Sequence, residues 1–413
     1  MPPVESMRLA LISLHTSPAD LPGSGDAGGM NVVERAQAEA LARLGHTVEL
    51  ITRRSDPDSP DIVELSPGVT LRHLTAGPAR PIPKSQQEAL IGRFGARLAE
   101  LERYDLVHSH HWMSGVAALP VARRWGVPHV QSFHSVAAQP GSPLADGERP
   151  ESPGRIAGEA MVASRSDLVI TVSEYEAGIA IDRCGADPAR VEVVLPGVDS
   201  ELFHPGRGGG STDALGSQSL TDNGYLAFAA RLQPLKGADL AVSALARVPV
   251  ELRPELVIAG EPSADFPDYG IELDRLIADN RLDQQVTFLG PQSRADLARL
   301  LRGARMVLMP SHSETFGLIA LEAAASGVPV IASAAGGLTE LVVDRVTGRL
   351  MPDRDPEHWA AAITELLTDP EVADRMGRDA RRHAEQFSWD RAARRLADLY
   401  AGLGPQPLAL REG

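Results

Sequence analysis

Apolar positions along the chain fall into short β-branched runs separated by longer stretches with a helical period. RLALISL (8–14), TVELIT (47–52), LVHSH (106–110), HVQSFH (129–134), LVITVS (168–173) and VEVVLP (191–196) predict strands in the first half. YLAFAAR (225–231), ELVIAG (255–260), VTFLG (286–290), MVLMPS (306–311) and VPVIAS (328–333) predict them in the second. Helical patterns fall between, as at 32–44, 239–247 and 294–302. This alternation predicts an α/β chain with parallel sheets, each half a doubly wound, Rossmann-like unit. Ligands of such sheets bind beyond the carboxyl ends of the strands, so two facing sheets place a site in the cleft between them.

One helical stretch stands apart. In PSHSETFGLIALEAAASGVPVIAS (310–333), Leu318, Ile319, Leu321, Ala323, Ala324 and Ala325 leave no polar face, so the helix is predicted to be buried. Glu322 sits inside it, and an unpartnered carboxylate there is costly. Either the fold supplies a partner, as a buried salt bridge, or a ligand does.

A length of 413 residues exceeds one ordinary core and points to two domains, 1–202 and 203–388. The Gly- and Ser-rich stretch 204–224 reads as a linker or a loop opening the second domain, and the last helix, within 389–413, as crossing back to the first. The single cysteine, Cys184, excludes a disulfide framework and fits a reducing cytoplasm. No apolar run is long enough to span a bilayer, and the leader MPPVES has neither a basic nor an apolar region, so Met7 is an equal candidate for the start. Net charge is −15, which argues against nucleic acid as a partner and leaves anionic ligands to local cations and backbone amides. Oligomeric state stays open, a homodimer included.

Four constellations carry candidate chemistry. Gly23, Gly25, Gly28 and Gly29 precede a helix beginning near Asn31, a loop that lets amides approach a phosphate or sugar. Its spacing fits neither a dinucleotide fingerprint nor a P-loop, and a plain surface loop is the alternative. In ARLQPLKG (230–237), Arg231 and Lys236 are cations for a diphosphate, or else charges at a solvated strand end. Glu314 and Glu322 are eight residues apart, up to about 12 Å along a helix, which is long for a hydrolase pair and suits an extended ligand held at two points. HSHHW (108–112) and SFHS (132–135) place histidines at strand ends facing the cleft. Substrate contacts are the preferred reading there, a metal the lesser one, because His108 and His110 share a face while His111 points away.

Taken together, GSGDAGGMN, ARLQPLKG, E314TFGLIALE322 and Gly336–Gly337 before a helix resemble the retaining glycosyltransferases of the GT-B fold, in the large group-one family. The likeness covers nearly the whole chain. It implies that Arg231 and Lys236 hold the diphosphate of a UDP-sugar, that Glu322 accepts from the ribose hydroxyls, and that Glu314 binds the sugar. Phe316, Gly317 and Leu318 amides would lie near sugar and phosphate, and His134 beside the reacting sugar. Asn31 with the Gly28 and Gly29 backbone would close on donor and acceptor, while Lys84 and Arg155 would grip an acceptor phosphate. Departures from the pattern are Ala230 for a glycine, His111 for a tyrosine and Ser135 for a threonine, the last two at acceptor positions. The resemblance implies a front-face, retaining transfer of N-acetylglucosamine to a cyclitol, inositol phosphate foremost, without a cofactor or a metal. The departures leave room for an aminocyclitol of the 2-deoxystreptamine type. A nucleotide-sugar epimerase and a non-catalytic UDP-sugar binder are the rivals from other classes.

Overall fold

The computed structural model of the chain describes residues 6–137, 152–206 and 224–404. Most of the expected linker, with the first residues of the leader and the last of the chain, lies outside them. Its first sheet contains β1 (Arg8–Ser13), β2 (Thr47–Arg53), β3 (Ile62–Ser66), β4 (Val69–Leu74), β5 (Leu106–His110), β6 (His129–Ser132), β7 (Leu168–Thr171) and β8 (Val191–Val193). The order is β3-β4-β2-β1-β5-β6-β7-β8, with only β3 and β4 antiparallel. A second, fully parallel sheet contains β9 (Tyr225–Ala229), β10 (Glu255–Ala259), β11 (Val286–Gly290), β12 (Met306–Met309), β13 (Val330–Ser333) and β14 (Gly348–Met351). Its order is β11-β10-β9-β12-β13-β14.

The strands are continuous apolar runs because helices cover both faces of each sheet. Leu9 and Leu11 join Val33, Ala38 and Leu41 on one side, whereas Ala10 and Ile12 join Trp112 and Ala118 on the other. In the second sheet Leu226 and Phe228 pack with Leu240 and Trp359, and Tyr225 and Ala227 with Leu301 and Leu321. Every run read as a strand forms one. Sequence patterning missed β3, β4 and β14. β3 is an antiparallel edge strand of half-exposed residues, β4 interleaves Thr70, Arg72 and His73 with its buried positions, and β14 is a four-residue edge strand holding Gly348 and Arg349.

The chain crosses between the sheets twice, at adjacent places. Val198 donates its amide to the Phe387 carbonyl at 3.3 Å, and a Cβ on Gly197 would meet the Trp389 nitrogen at 2.1 Å, so only glycine allows the two segments this close. Val198 and Phe203 already belong to the core of the second sheet. Beyond the second crossing, the helix Trp389–Leu403 packs on the first sheet. Its apolar residues Trp389, Ala392, Ala393, Leu396, Ala397 and Tyr400 recur at three- and four-residue intervals and lie against the helix Gly29–Arg43. Arg43–Asp390 and Arg395–Glu192 ion pairs flank the contact at 2.8 and 2.6 Å.

His108 corrects an expectation. It does not face the cleft: it is fully buried, with Nδ1 bonded to the Tyr400 hydroxyl at 2.7 Å and Nε2 to the Ser132 hydroxyl at 3.0 Å. This histidine anchors the returning helix. Tyr400→Phe would leave its Nδ1 unpaired in a dry core, at a cost of about 1–3 kcal/mol. The expected result is a lower urea midpoint with an unchanged slope, and an unchanged midpoint would show the bond to be dispensable.

Candidate active site

The carboxyl ends of both sheets open on a cavity of about 720 Å³, which shares Gly28, Gly29, Arg231, Lys236, Glu314 and Leu318 with a smaller one of about 170 Å³. Both domains contribute walls. Glu322 lines the smaller cavity from the second turn of the helix Leu318–Ala325, and is 1% exposed. The fold supplies half of its partnership: Arg294, the first residue of the helix Arg294–Gly303, bonds Oε1 at 2.5 Å. Oε2 is buried with no partner. Of the two partners the sequence leaves open, the fold supplies one oxygen's through Arg294, and the other oxygen is left over.

Neither Arg231 nor Lys236 is bare. Arg231, just past β9, pairs with Asp26 of the glycine-rich loop at 3.4 Å, and Lys236 pairs with Glu314 at 2.7 Å. Asp26 also accepts from the Lys84 amide at 3.1 Å and the Ser263 hydroxyl at 3.4 Å, so it ties first-domain loop to second-domain strand end. Asn31 lines the cavity, yet its amide is committed to the loop. It accepts from the Gly28 N–H at 2.9 Å and donates to the Thr16 hydroxyl and Ser17 carbonyl at 3.0 and 2.7 Å. Its contribution is to shape the Gly28–Gly29 turn.

Phe316, Gly317 and Leu318 form the cavity wall where the Glu322 helix begins. Gly317 has φ +101°, and a Cβ there would meet Leu338 at 2.6 Å. Gly336 and Gly337 press on the same loop, where Cβ atoms would meet the Glu314 and Thr315 carbonyls at 2.1 and 2.2 Å. These glycines are space requirements that fix the Glu314 backbone. Thr315 then reaches across the cleft, donating its hydroxyl to the His134 carbonyl at 2.8 Å while its own carbonyl accepts from the Ser173 hydroxyl at 2.7 Å.

His134 lines the cavity in the left-handed region, φ 58°. Its Nε2 bonds His110 Nδ1 at 2.7 Å, and His110 lies 3.8 Å from the buried Glu34 carboxylate. His110 thus supports His134 from behind and, like His108, does not reach the cavity. Burial holds the His108, His110 and His134 pKa values below the ordinary range and pushes the Glu34 carboxyl well up. Among the described residues, no group of three His, Cys, Asp or Glu side chains could hold a metal ion.

His111 reaches the cavity, caps the helix Trp112–Trp125 with φ 70°, and is buried with both ring nitrogens unpartnered. The His15 ring lies 4.2 Å away. Burial, with Lys84 and Arg155 nearby, holds both imidazoles below their ordinary pKa. Lys84 and Arg155 line the same end; Arg155 bonds Glu159 at 2.8 Å and the Ser135 hydroxyl at 3.2 Å. Sequence reading missed Asp26, His15, Glu176, Arg183 and Arg294. Asp26 lies inside the glycine-rich loop motif and His15 directly follows the first strand, whereas Glu176 and Arg294 sit on, and Arg183 just after, helices that look like ordinary solvated ones.

A family model described as "Family 4 Glycosyltransferase in conflict systems" matches residues 21–396. The D-inositol 3-phosphate glycosyltransferase of Salinispora arenicola is 42% identical over 418 aligned residues, covering 97% of this chain and 93% of that protein. Among solved structures, the sucrose-phosphate synthase of Thermosynechococcus elongatus superposes with a TM-score of 0.86 at 30% identity, covering 96% of this chain and 98% of its own. The Anabaena protein HepE in complex with UDP-glucose shares the fold at a TM-score of 0.74 and 20% identity, covering 96% of this chain and all (100%) of its own. With two facing parallel sheets, a cleft of paired cations and acids, and relatives matching nearly end to end, this chain belongs to the family 4 glycosyltransferases and has their GT-B fold.

Proposed function

We propose that this glycosyltransferase moves N-acetylglucosamine from its UDP derivative to a hydroxyl of inositol phosphate, with retention of configuration. The observation that carries the reading is the split character of the cavity. Its second-domain side offers Arg231, Lys236 and, at Glu322, a buried carboxylate oxygen without a partner, suited to a ribose hydroxyl. Its first-domain side sets Lys84 and Arg155 near His111, whose two buried nitrogens also lack partners, with Arg183 lining the same cavity. That end suits a phosphate, and an aminocyclitol would bring an ammonium group among like charges. The name of the Salinispora relative points the same way.

In this reading the C1–O bond to the diphosphate breaks as a bond to the acceptor oxygen forms on the same face. The acceptor proton passes to the departing phosphate oxygen. Arg231, Lys236 and the amides at Phe316, Gly317 and Leu318 stabilise the charge developing on UDP, and the enclosed cleft excludes water. Glu314 holds sugar hydroxyls while fixing Lys236, and His134 packs beside the reacting sugar. Lys84, His111, Ser135 and Arg155 hold the acceptor phosphate. The fixed cations take the place of a metal.

Lys236→Ala is expected to lower kcat about 10²–10³-fold, the scale seen when one preorganised electrostatic donor is lost, in a protein that keeps its native circular dichroism; near-normal turnover refutes the role. Glu322→Ala is expected to weaken UDP binding about 10–100-fold in calorimetry, the worth of a charge-assisted hydrogen bond. Equal affinity would sink the ribose assignment. The third test follows UDP release from UDP-N-acetylglucosamine with inositol phosphate, with an aminocyclitol, and with no acceptor. Release is expected with inositol phosphate, giving an α-linked product by the anomeric proton coupling. Acceptor-independent release would favour an epimerase-like reaction, and binding without release a non-catalytic role.

A further inference from the structure

We infer that Glu176 is a further acceptor-binding residue, its free carboxylate oxygen accepting a hydrogen bond from a ring hydroxyl of the polyol. This rests on the transfer reading above and adds a specificity determinant to it. Glu176 is the third residue of the helix Glu174–Asp182, is fully buried, and lines the larger cavity from the first-domain side. One oxygen, Oε2, accepts the Val172 amide at 2.8 Å, which pins the carboxylate in place. The other, Oε1, is buried with no partner.

A buried carboxylate oxygen facing a polar cavity is costly until a donor reaches it. Polyols carry donors all round the ring, so a fixed single acceptor discriminates by the hydroxyl it meets. The position favours the acceptor over the donor. Glu322, Arg231 and Lys236 belong to the second domain, whereas Glu176 shares a wall with Arg155, Arg183 and Ser135. The buried Cys184 feels Glu159, Arg183, Arg155 and Glu176 together, so those charges cluster in one region. The His134 backbone N–H approaches the carboxyl and favours its charged form, placing Glu176 next to the backbone of His134.

Burial pushes the Glu176 carboxyl up to about 7. Around it stand His134 from the turn after β6, Arg155 and Glu159 from the helix Arg155–Arg165, Arg183 and Cys184 following its own helix, and Glu314 across the cavity. His134 is held neutral by burial, the Cys184 thiol is pushed up to about 12, Glu159 is bonded to Arg155, and Glu314 to Lys236. Glu176 is therefore a group whose charge changes near neutrality. Its ionised form is the better acceptor, so polyol affinity rises as pH passes upward through about 7.

The test measures transfer from saturating UDP-N-acetylglucosamine to inositol phosphate between pH 5.5 and 9, roughly spanning the titrating groups, for wild type and Glu176→Gln. UDP affinity is measured on both by calorimetry. The expected result is an acceptor KM raised about tenfold or more at alkaline pH in Glu176→Gln, the scale of a hydrogen bond to a charged group, with UDP affinity within about twofold. Wild type is expected to show a step in acceptor KM near pH 7 that the variant lacks. The acceptor phosphate's own titration near about 6 persists in both. A variant with wild-type acceptor KM overturns the inference. So does a wild-type profile without the step, which is informative even if Glu176→Gln does not fold. A purely structural role would shift donor and acceptor parameters together. Transfer to no polyol, with UDP still bound, would overturn the transfer reading itself.

Discussion

The cleft is built on three ion pairs, each setting a buried or half-buried charge beside an opposite one. Asp26–Arg231, Glu314–Lys236 and Glu322–Arg294 line it in sequence, each joining elements distant in the chain. Removing one member of such a pair leaves the other uncompensated. Loop, strand end and helix start are thereby held in fixed relation before any ligand arrives. On the proposed reading, a diphosphate competes with Asp26 and Glu314 for their cations. Binding then exchanges one anion for another, and the positive potential is tempered until the proper ligand displaces the internal one. The glycines at 317, 336 and 337 serve the same geometry by letting backbone approach backbone where a side chain would intrude.

The fold was largely legible because its signal is redundant. Parallel strands covered on both faces are apolar at consecutive positions, and each helix repeats its stripe over several turns, as Trp389–Leu403 does. The strands that escaped notice lack that redundancy. β3 is an antiparallel edge strand, β4 alternates buried apolar with polar residues although it pairs in parallel with β2, and β14 contributes only four residues at an edge. Edge strands bury less, so their composition is less constrained.

The site was legible where chemistry is packed into a contiguous motif, as in the loop at Gly28 and Gly29, ARLQPLKG and the segment from Glu314 to Glu322. It was obscure where function depends on which way a lone side chain turns. His108, His110 and His111 are near neighbours in sequence with different fates: one anchors a helix, one backs another histidine, and one reaches the cavity. The left-handed backbone at His111 sets it apart from the two strand histidines, and it leaves no trace in composition. Glu322 shows the same limit. That it needed a partner followed from its apolar surroundings, but not that Arg294, nearly thirty residues earlier, would take one oxygen and leave the other.

The returning helix imposes an order of events on the chain as it is made. When β8 leaves the ribosome, the first sheet still lacks Trp389, Leu396 and Tyr400 over one face, and His108 lacks its hydroxyl partner. At about 5–20 residues per second, synthesis of the intervening second domain keeps that face uncovered for roughly ten to forty seconds. The nascent first domain is thus an incomplete body carrying an open apolar surface. Its maturation waits for the helix Trp389–Leu403.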